Sequence, residues 1–117
     1  MIVTRVDPDD TWTCLVRRGM LHSETESVEH HRLGAGERLS FDAPHGVDEL
    51  VVVLSGEVDV DGGTAGPGSV VLVPEGAGGE LTARVPTAVL SVRGLAARVT
   101  AALPPRVPEL PVAERAV

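Results

Sequence analysis

The chain has 117 residues and a formal net charge of −7, and 43% of its residues are hydrophobic but only 2% aromatic. This length predicts one domain, and the hydrophobic fraction is sufficient for a core built from aliphatic side chains. The negative charge argues against a nucleic-acid partner, because binding to phosphates requires a basic surface. The chain contains no lysine, which excludes Schiff-base chemistry.

Signals for membranes and export are not found in the sequence. The longest apolar run, residues 50–54, is too short to cross a bilayer. The N-terminal stretch MIVTRVDPDD lacks the apolar segment of a signal peptide. One cysteine, Cys14, cannot form an intramolecular disulfide. We therefore expect a cytoplasmic protein without a membrane partner.

Short alternating or apolar runs, separated by glycine and proline, predict strands along most of the chain. In chain order these runs cover residues 11–17, 28–33, 37–43, 49–54, 57–61 and 69–73, with two more inside 80–94. Residues 62–68 are predicted to be a cluster of turns, and residues 96–103 a last strand or one helical turn. This spacing predicts an all-β sandwich or barrel.

Two motifs in this order resemble those of the cupin superfamily. Glu49, six residues and Gly56 match the end of the first cupin motif, with His45 at its second histidine. Gly68, five residues, Pro74 and then Gly76 match the first half of the second motif. The resemblance covers residues 12–92. It implies a single-domain antiparallel jelly-roll barrel, commonly a homodimer, which we place at residues 1–103, with a proline-rich tail at residues 104–117.

The chain departs from the cupin pattern at the positions that usually bind a divalent metal. Ala43 replaces the first histidine, Gly79 replaces the histidine of the second motif, and Ala83 replaces its closing asparagine. Two remaining ligands make a poor metal site, because catalytic metals normally have three or more protein ligands. Small residues at barrel-lining positions predict an enlarged, largely apolar pocket in place of the metal.

Two histidines and a glutamate are the candidate catalytic residues. His45 and Glu49 would form an acid–base pair with shifted pKa values, or a relict pair that holds two strands together. Strand alternation places His31 on the face of Leu33, which is inward in the resembled fold, and His30 on the opposite surface. If a metal binds, His45, Glu49 and His31 are its expected ligands.

Candidate substrate-binding residues are the three small residues, Ala43, Gly79 and Ala83, together with Trp12 and Phe41. The indole of Trp12 would cap the pocket or lie at a subunit contact. An inward arginine would bind a carboxylate or an enolate. The arginines on or beside predicted strands are Arg32, Arg38, Arg84 and Arg93.

These residues and the resemblance predict an enzyme that cyclises, isomerises or dehydrates a hydrophobic, oxygenated small molecule. It would work by acid–base catalysis and by orienting the substrate, without a metal. The first alternative is a metal-dependent, oxygenase-like cupin. The second is a cupin that binds a small ligand without catalysis.

Overall fold

The computed structural model describes residues 1–21, 24–43 and 46–102. These residues form nine strands and a single-turn helix. The elements are β1 (Trp12–Arg17), β2 (Thr25–Leu33), β3 (Arg38–Phe41), β4 (Val47–Ser55), β5 (Val58–Val60), β6 (Gly63–Ala65), β7 (Val70–Val73), β8 (Gly79–Ala83), β9 (Thr87–Leu95) and α1 (Ala97–Thr100). No helix among these residues is long and apolar enough to cross a membrane.

The strands form two antiparallel sheets. One has five strands in the order β1-β2-β9-β4-β7, and the other has four in the order β3-β8-β5-β6. Side chains from both sheets form one aliphatic core between them, as the scarcity of aromatic residues predicted. The core residues are Leu33, Val51, Val53, Val58, Leu81, Ala83 and Val89.

Glycine makes two of the tight connections possible. Asp61 and Gly62 both have positive φ values, 48° and 77°, between β5 and β6. Two such residues form the mirror-image turn that matches the twist of a hairpin. Gly56, the last glycine of the first motif, has φ of 82°. A Cβ atom there would lie 2.4 Å from Thr87 Oγ1 and 2.5 Å from the Pro86 carbonyl, so no other residue fits.

The pairing register aligns polar residues at one end of the inner face of the five-stranded sheet. Arg93 on β9 pairs with Ser27 on β2 and with Glu49 on β4. Two residues earlier on β9, and on the same face as Arg93, Ser91 pairs with Glu29 and with Val51. The inner face therefore changes from aliphatic to charged along the length of β4 and β9.

The predicted all-β architecture is confirmed, with three local differences. The second strand begins at Thr25, before the predicted residue 28. Residues 63–65 form β6 within the predicted turn cluster, because the Asp61–Gly62 turn closes a hairpin there. Residues 97–100 form the helical turn that was one of two alternatives. The tail at residues 104–117 lies outside the described residues.

Candidate functional site

A cavity of about 240 Å³ lies at the charged end of the space between the two sheets and is open to solvent on one side. The five-stranded sheet supplies a polar wall, and the segment around β3 supplies much of the opposite wall. The lining residues are Glu29, His31, Leu39, Ser40, Phe41, Asp42, Val47, Glu49, Ser91 and Arg93.

The Glu49 carboxylate is the most deeply placed charge in this wall, with 9% of its side chain exposed. Its Oε1 atom accepts a hydrogen bond from Ser91 Oγ at 3.1 Å. The same oxygen lies 2.9 Å from Nε of Arg93. The Nε–H bond is not aligned on this oxygen, so Nε makes no hydrogen bond to a described residue and the contact is an ion pair. A carboxylate this buried requires such partners.

Glu29 is the second carboxylate of the wall. Its Oε1 atom accepts a hydrogen bond from Trp12 Nε1 at 2.7 Å, and its Oε2 atom accepts one from Ser27 Oγ at 3.0 Å. Nη1 of Arg93 lies 3.7 Å from Oε2. Arg93 therefore lies between two carboxylates, and Trp12 and Ser27 hold Glu29 in place by hydrogen bonds.

His31 supplies the only imidazole among the described residues of the cavity wall. Burial lowers the pKa of His31 below its ordinary value of 6.5, and the positive charges of His30 and Arg93 add to this effect. Glu29 acts in the opposite direction without reversing it. His31 is therefore neutral at pH 7 and can accept a proton or a hydrogen bond.

The opposite side of the cavity is apolar. Phe41 and Leu39 on β3 are half-buried. Val47, which is 4% exposed, adds apolar surface from β4, on the same face as Glu49. Asp42 follows β3 and is exposed. The cavity thus offers charged groups on one wall and hydrocarbon surface on the other, which suits a small amphipathic molecule.

The structure brings some of the predicted site residues together. His31, Glu49 and Phe41 line the cavity. Trp12 lies beside them on β1, is 51% exposed and contacts the site through Glu29. His45 lies outside the described residues, so the pairing of His45 with Glu49 stays a prediction.

The three small residues do not line this cavity. Ala83 is 1% exposed and packs in the aliphatic core. Gly79 borders a separate cavity of about 90 Å³. Ala43 is exposed in the turn after β3. Their predicted substrate contacts remain untested. The pocket is more charged than the largely apolar one we expected, because alternation on β2, β4 and β9 directs Glu29, Glu49 and Arg93 inward.

The structure also describes the surroundings of His30 and Cys14. His30 lies on the face of β2 opposite to His31, but it is 8% exposed and not a surface residue. Its cross-strand neighbours on this face are Thr13 on β1 and Leu90 on β9. Partial burial and Glu29 raise the pKa of the Cys14 thiol, so the thiol is protonated at neutral pH and a poor nucleophile.

The described residues do not fit a metal ion. No group of three His, Cys, Asp or Glu side chains within residues 1–21, 24–43 and 46–102 is close enough to hold one. The carboxylate of Glu49 is also 2.9 Å from the guanidinium of Arg93, which would repel a cation. The alternative ligand set of His45, Glu49 and His31 includes a residue outside these ranges and stays a prediction.

Sequence reasoning missed Glu29 and Ser91 and left Arg93 as one of four arginines. Alternation does place Glu29 on the face of His31, which was a usable signal. Nothing in the sequence indicated that Arg93 would face Glu49, because that depends on the register between β4 and β9.

No family model and no curated protein matches the chain. Similar solved structures include a predicted oxalate decarboxylase from Thermotoga maritima, with a TM-score of 0.64 and 18% identity over 73% of this chain and 79% of that one. A cupin superfamily protein from Desulfitobacterium hafniense has a TM-score of 0.60 and 18% identity, covering 79% of this chain and 84% of that one.

A third similar structure is the cupin domain of an XRE-family transcriptional regulator from Enterobacter cloacae. It has a TM-score of 0.57 and 22% identity, and the match covers 73% of this chain and 95% of that domain. The similar structures therefore include both a predicted enzyme and part of a regulator, and what they share is the architecture. The two sheets, the two motifs and these matches together show that the chain has the jelly-roll fold of the cupin superfamily.

Proposed function

We propose that this protein is an enzyme that cyclises, isomerises or dehydrates a small oxygenated molecule by acid–base and orientation catalysis. One observation supports this function above the others. A neutral imidazole and two carboxylates line one wall of a cavity whose other wall is apolar. Titratable groups in unlike environments within one cavity are a typical basis for acid–base catalysis.

In this proposal His31 accepts a proton from the substrate. Its lowered pKa keeps it in the basic form at pH 7. Glu49 is held by Ser91 and Arg93 at fixed distances of 3.1 and 2.9 Å. Glu29, which raises the pKa of His31 against the effect of burial, would stabilise the imidazolium that forms there, and His45 would share protons with Glu49 as predicted from the sequence.

The apolar wall would orient the substrate. Phe41 and Leu39 offer apolar surface opposite the charged wall, and Val47 adds to it from β4. Holding a flexible substrate in a reactive conformation lowers the barrier through entropy alone. This contribution suits cyclisation and isomerisation, in which one molecule reacts with itself.

A binding protein without catalysis is the second candidate. The observation in its favour is that the charged side chains of the wall bind one another, as in the ion pairs of Arg93 with Glu49 and Glu29. Such a network can hold a ligand without moving a proton. A metal-dependent reaction is the third candidate, and metal analysis of protein purified without chelator tests it directly.

Turnover of small hydroxy ketones, followed by mass spectrometry and chromatographic retention, tests the proposal. Dehydration lowers the mass by one water, whereas cyclisation by addition or isomerisation changes retention at constant mass. We expect His31→Gln to abolish turnover of any converted compound. Glu80→Gln is the matched control, because Glu80 is an exposed carboxylate on β8 outside this cavity. Saturable binding without conversion by the unaltered protein would favour the binding candidate.

We also propose that two copies of the chain form a homodimer through the outer face of the five-stranded sheet. This face is turned away from the cavity and carries exposed Leu54, Val70 and Leu72, at 47%, 52% and 71% exposure. A second copy would cover these side chains on both subunits at once. Sedimentation should show a dimer that Leu72→Glu dissociates, and a monomer at all concentrations would contradict it.

A further inference from the structure

The charges around the cavity are unbalanced. Among the described residues, its wall carries the carboxylates of Glu29, Asp42 and Glu49 but only one guanidinium, that of Arg93. His31 adds no charge at pH 7, because burial lowers its pKa. The wall is therefore net negative even when Arg93 is counted.

Arg93 already lies against two carboxylates of the wall. Its Nε atom lies 2.9 Å from Glu49 and its Nη1 atom lies 3.7 Å from Glu29. A ligand carboxylate would compete with both of these groups for the same guanidinium. It would also be placed near two carboxylates that are 9% and 15% exposed, where like charges are weakly screened.

The acidic groups retain capacity to accept hydrogen bonds. An ionised carboxylate has about four acceptor sites. Glu29 uses one for Trp12 and one for Ser27, which leaves about two acceptor sites. Asp42 is exposed beside the cavity. A group with several donors and no acceptor fits these carboxylates best.

The size and the apolar wall restrict the rest of the ligand. The cavity volume of about 240 Å³ lies below the roughly 300–1,000 Å³ of sites for drug-sized molecules. The hydrocarbon part of a small ligand can contact Leu39 and Val47, and the ring of Phe41 can attract a nearby cation.

We propose that the cavity binds a small organic molecule that carries a protonated amine and a compact hydrocarbon part. The ammonium group would lie near Glu29 and Asp42, and the hydrocarbon part would contact the wall around Phe41. This inference rests on the proposed function, since it names the class of molecule on which the same cavity would act.

Three probes of similar shape and different charge test the inference: benzylamine, benzyl alcohol and benzoate. Binding would be followed at pH 7.5 by the fluorescence of Trp12, the sole tryptophan of the chain, and by NMR shifts of cavity residues. EDTA in the buffer keeps stray metal ions out of the negative cavity. We expect benzylamine to bind about tenfold more tightly than benzyl alcohol, as one favourable partly screened charge contact would give, and benzoate not to bind.

Variants separate charge from shape. Glu29→Gln should reduce benzylamine affinity several-fold and leave benzyl alcohol unchanged. Because Glu29 has structural partners, Asp42→Asn provides a second test at an exposed position, with a smaller loss in the same direction. Glu80→Gln should change neither.

Two results would overturn the inference. Equal affinity for the amine and the alcohol, or binding of benzoate, would refute the ligand class while leaving the cavity as the proposed site of function. Failure of all three probes to shift cavity residues would refute the ligand class and count against the proposed function as well.

Discussion

The two ends of the space between the sheets are built from the same strands but have opposite chemistry. At one end Val51, Val53 and Val89 meet Leu81 of the opposite sheet, and all four side chains are fully buried. At the other end the same strands β4 and β9 place Glu49, Ser91 and Arg93 on the same face. The aliphatic end requires nothing but close packing, whereas every charge at the polar end requires a partner.

This difference shows how a small barrel can hold charges inside without unfolding. The core is confined to one end, so the polar end can remain open to water on one side. The side chain of Arg93, which is 33% exposed, keeps part of its hydration while it forms ion pairs with two carboxylates. Stability and site chemistry are thus assigned to different ends of the same strands.

The largest effect is expected at the aliphatic end. Leu81→Ala removes a fully buried side chain and should lower the free energy of unfolding by about 2–5 kcal/mol. Urea unfolding measures this change. Leu21→Ala is the matched control, since Leu21 is 44% exposed and lies outside the proposed dimer face, and its loss should stay within about 0.5 kcal/mol. Similar losses for both variants would show that the core is not confined as described.

At the polar end, Arg93→Gln should cost about 1–3 kcal/mol, because Glu49 and Glu29 lose their shared cation. The control is Arg38→Gln, which breaks a surface pair with Glu80 whose side chains are 61% and 48% exposed. That variant should cost less than about 1 kcal/mol. Equal costs in urea unfolding would mean that the charged wall behaves like ordinary surface.

Trp12→Phe should have a smaller effect, about 1 kcal/mol, since it removes one hydrogen bond to Glu29 from a half-exposed indole. A double-mutant cycle with Glu29→Ala, which removes the acceptor, isolates this contact. We expect the two variants to be non-additive in unfolding free energy. Strict additivity would show that the Nε1–Oε1 contact contributes nothing.

The smallest expected effect is a pH dependence from His31. Its folded-state pKa is lowered below the ordinary 6.5, so the unfolded chain takes up the proton first as the pH falls. Stability should therefore decrease on acidification from about pH 6.5 through the folded pKa. Above about pH 6.5 this residue should have no effect on stability. NMR titration locates the pKa, and His31→Gln should flatten that part of the stability curve. Titration at or above 6.5 would contradict the desolvated environment.

Much of the fold could be predicted because the signals were local. Runs such as residues 49–54 and 69–73 are apolar enough to be recognised as buried strands. The motifs around Glu49, Gly56 and Gly68 indicated a cupin barrel. The hairpin at Asp61 was not predicted, because the glycines that follow it were interpreted as a cluster of turns. Aspartate followed by glycine is nevertheless a hairpin signal.

The site was less predictable because it depends on contacts across the sheet. Alternation along β2 indicated the side of His31, and hence of Glu29, from a single strand. The position of Arg93 beside Glu49 depends on the β4–β9 register, and the position of Ala83 in the core depends on how β8 faces the other sheet. The three small residues lie outside this cavity, and their predicted substrate contacts stay a prediction.

The sequence by itself determined the all-β class and the aliphatic composition of the core, because periodicity and turn residues act over a few neighbouring positions, and its two motifs indicated the cupin barrel by resemblance. Only the tertiary structure decided which inward side chains meet. One guanidinium between two carboxylates, next to a neutral imidazole, arises from the pairing of strands far apart in the chain, and that juxtaposition sets the charge of the cavity.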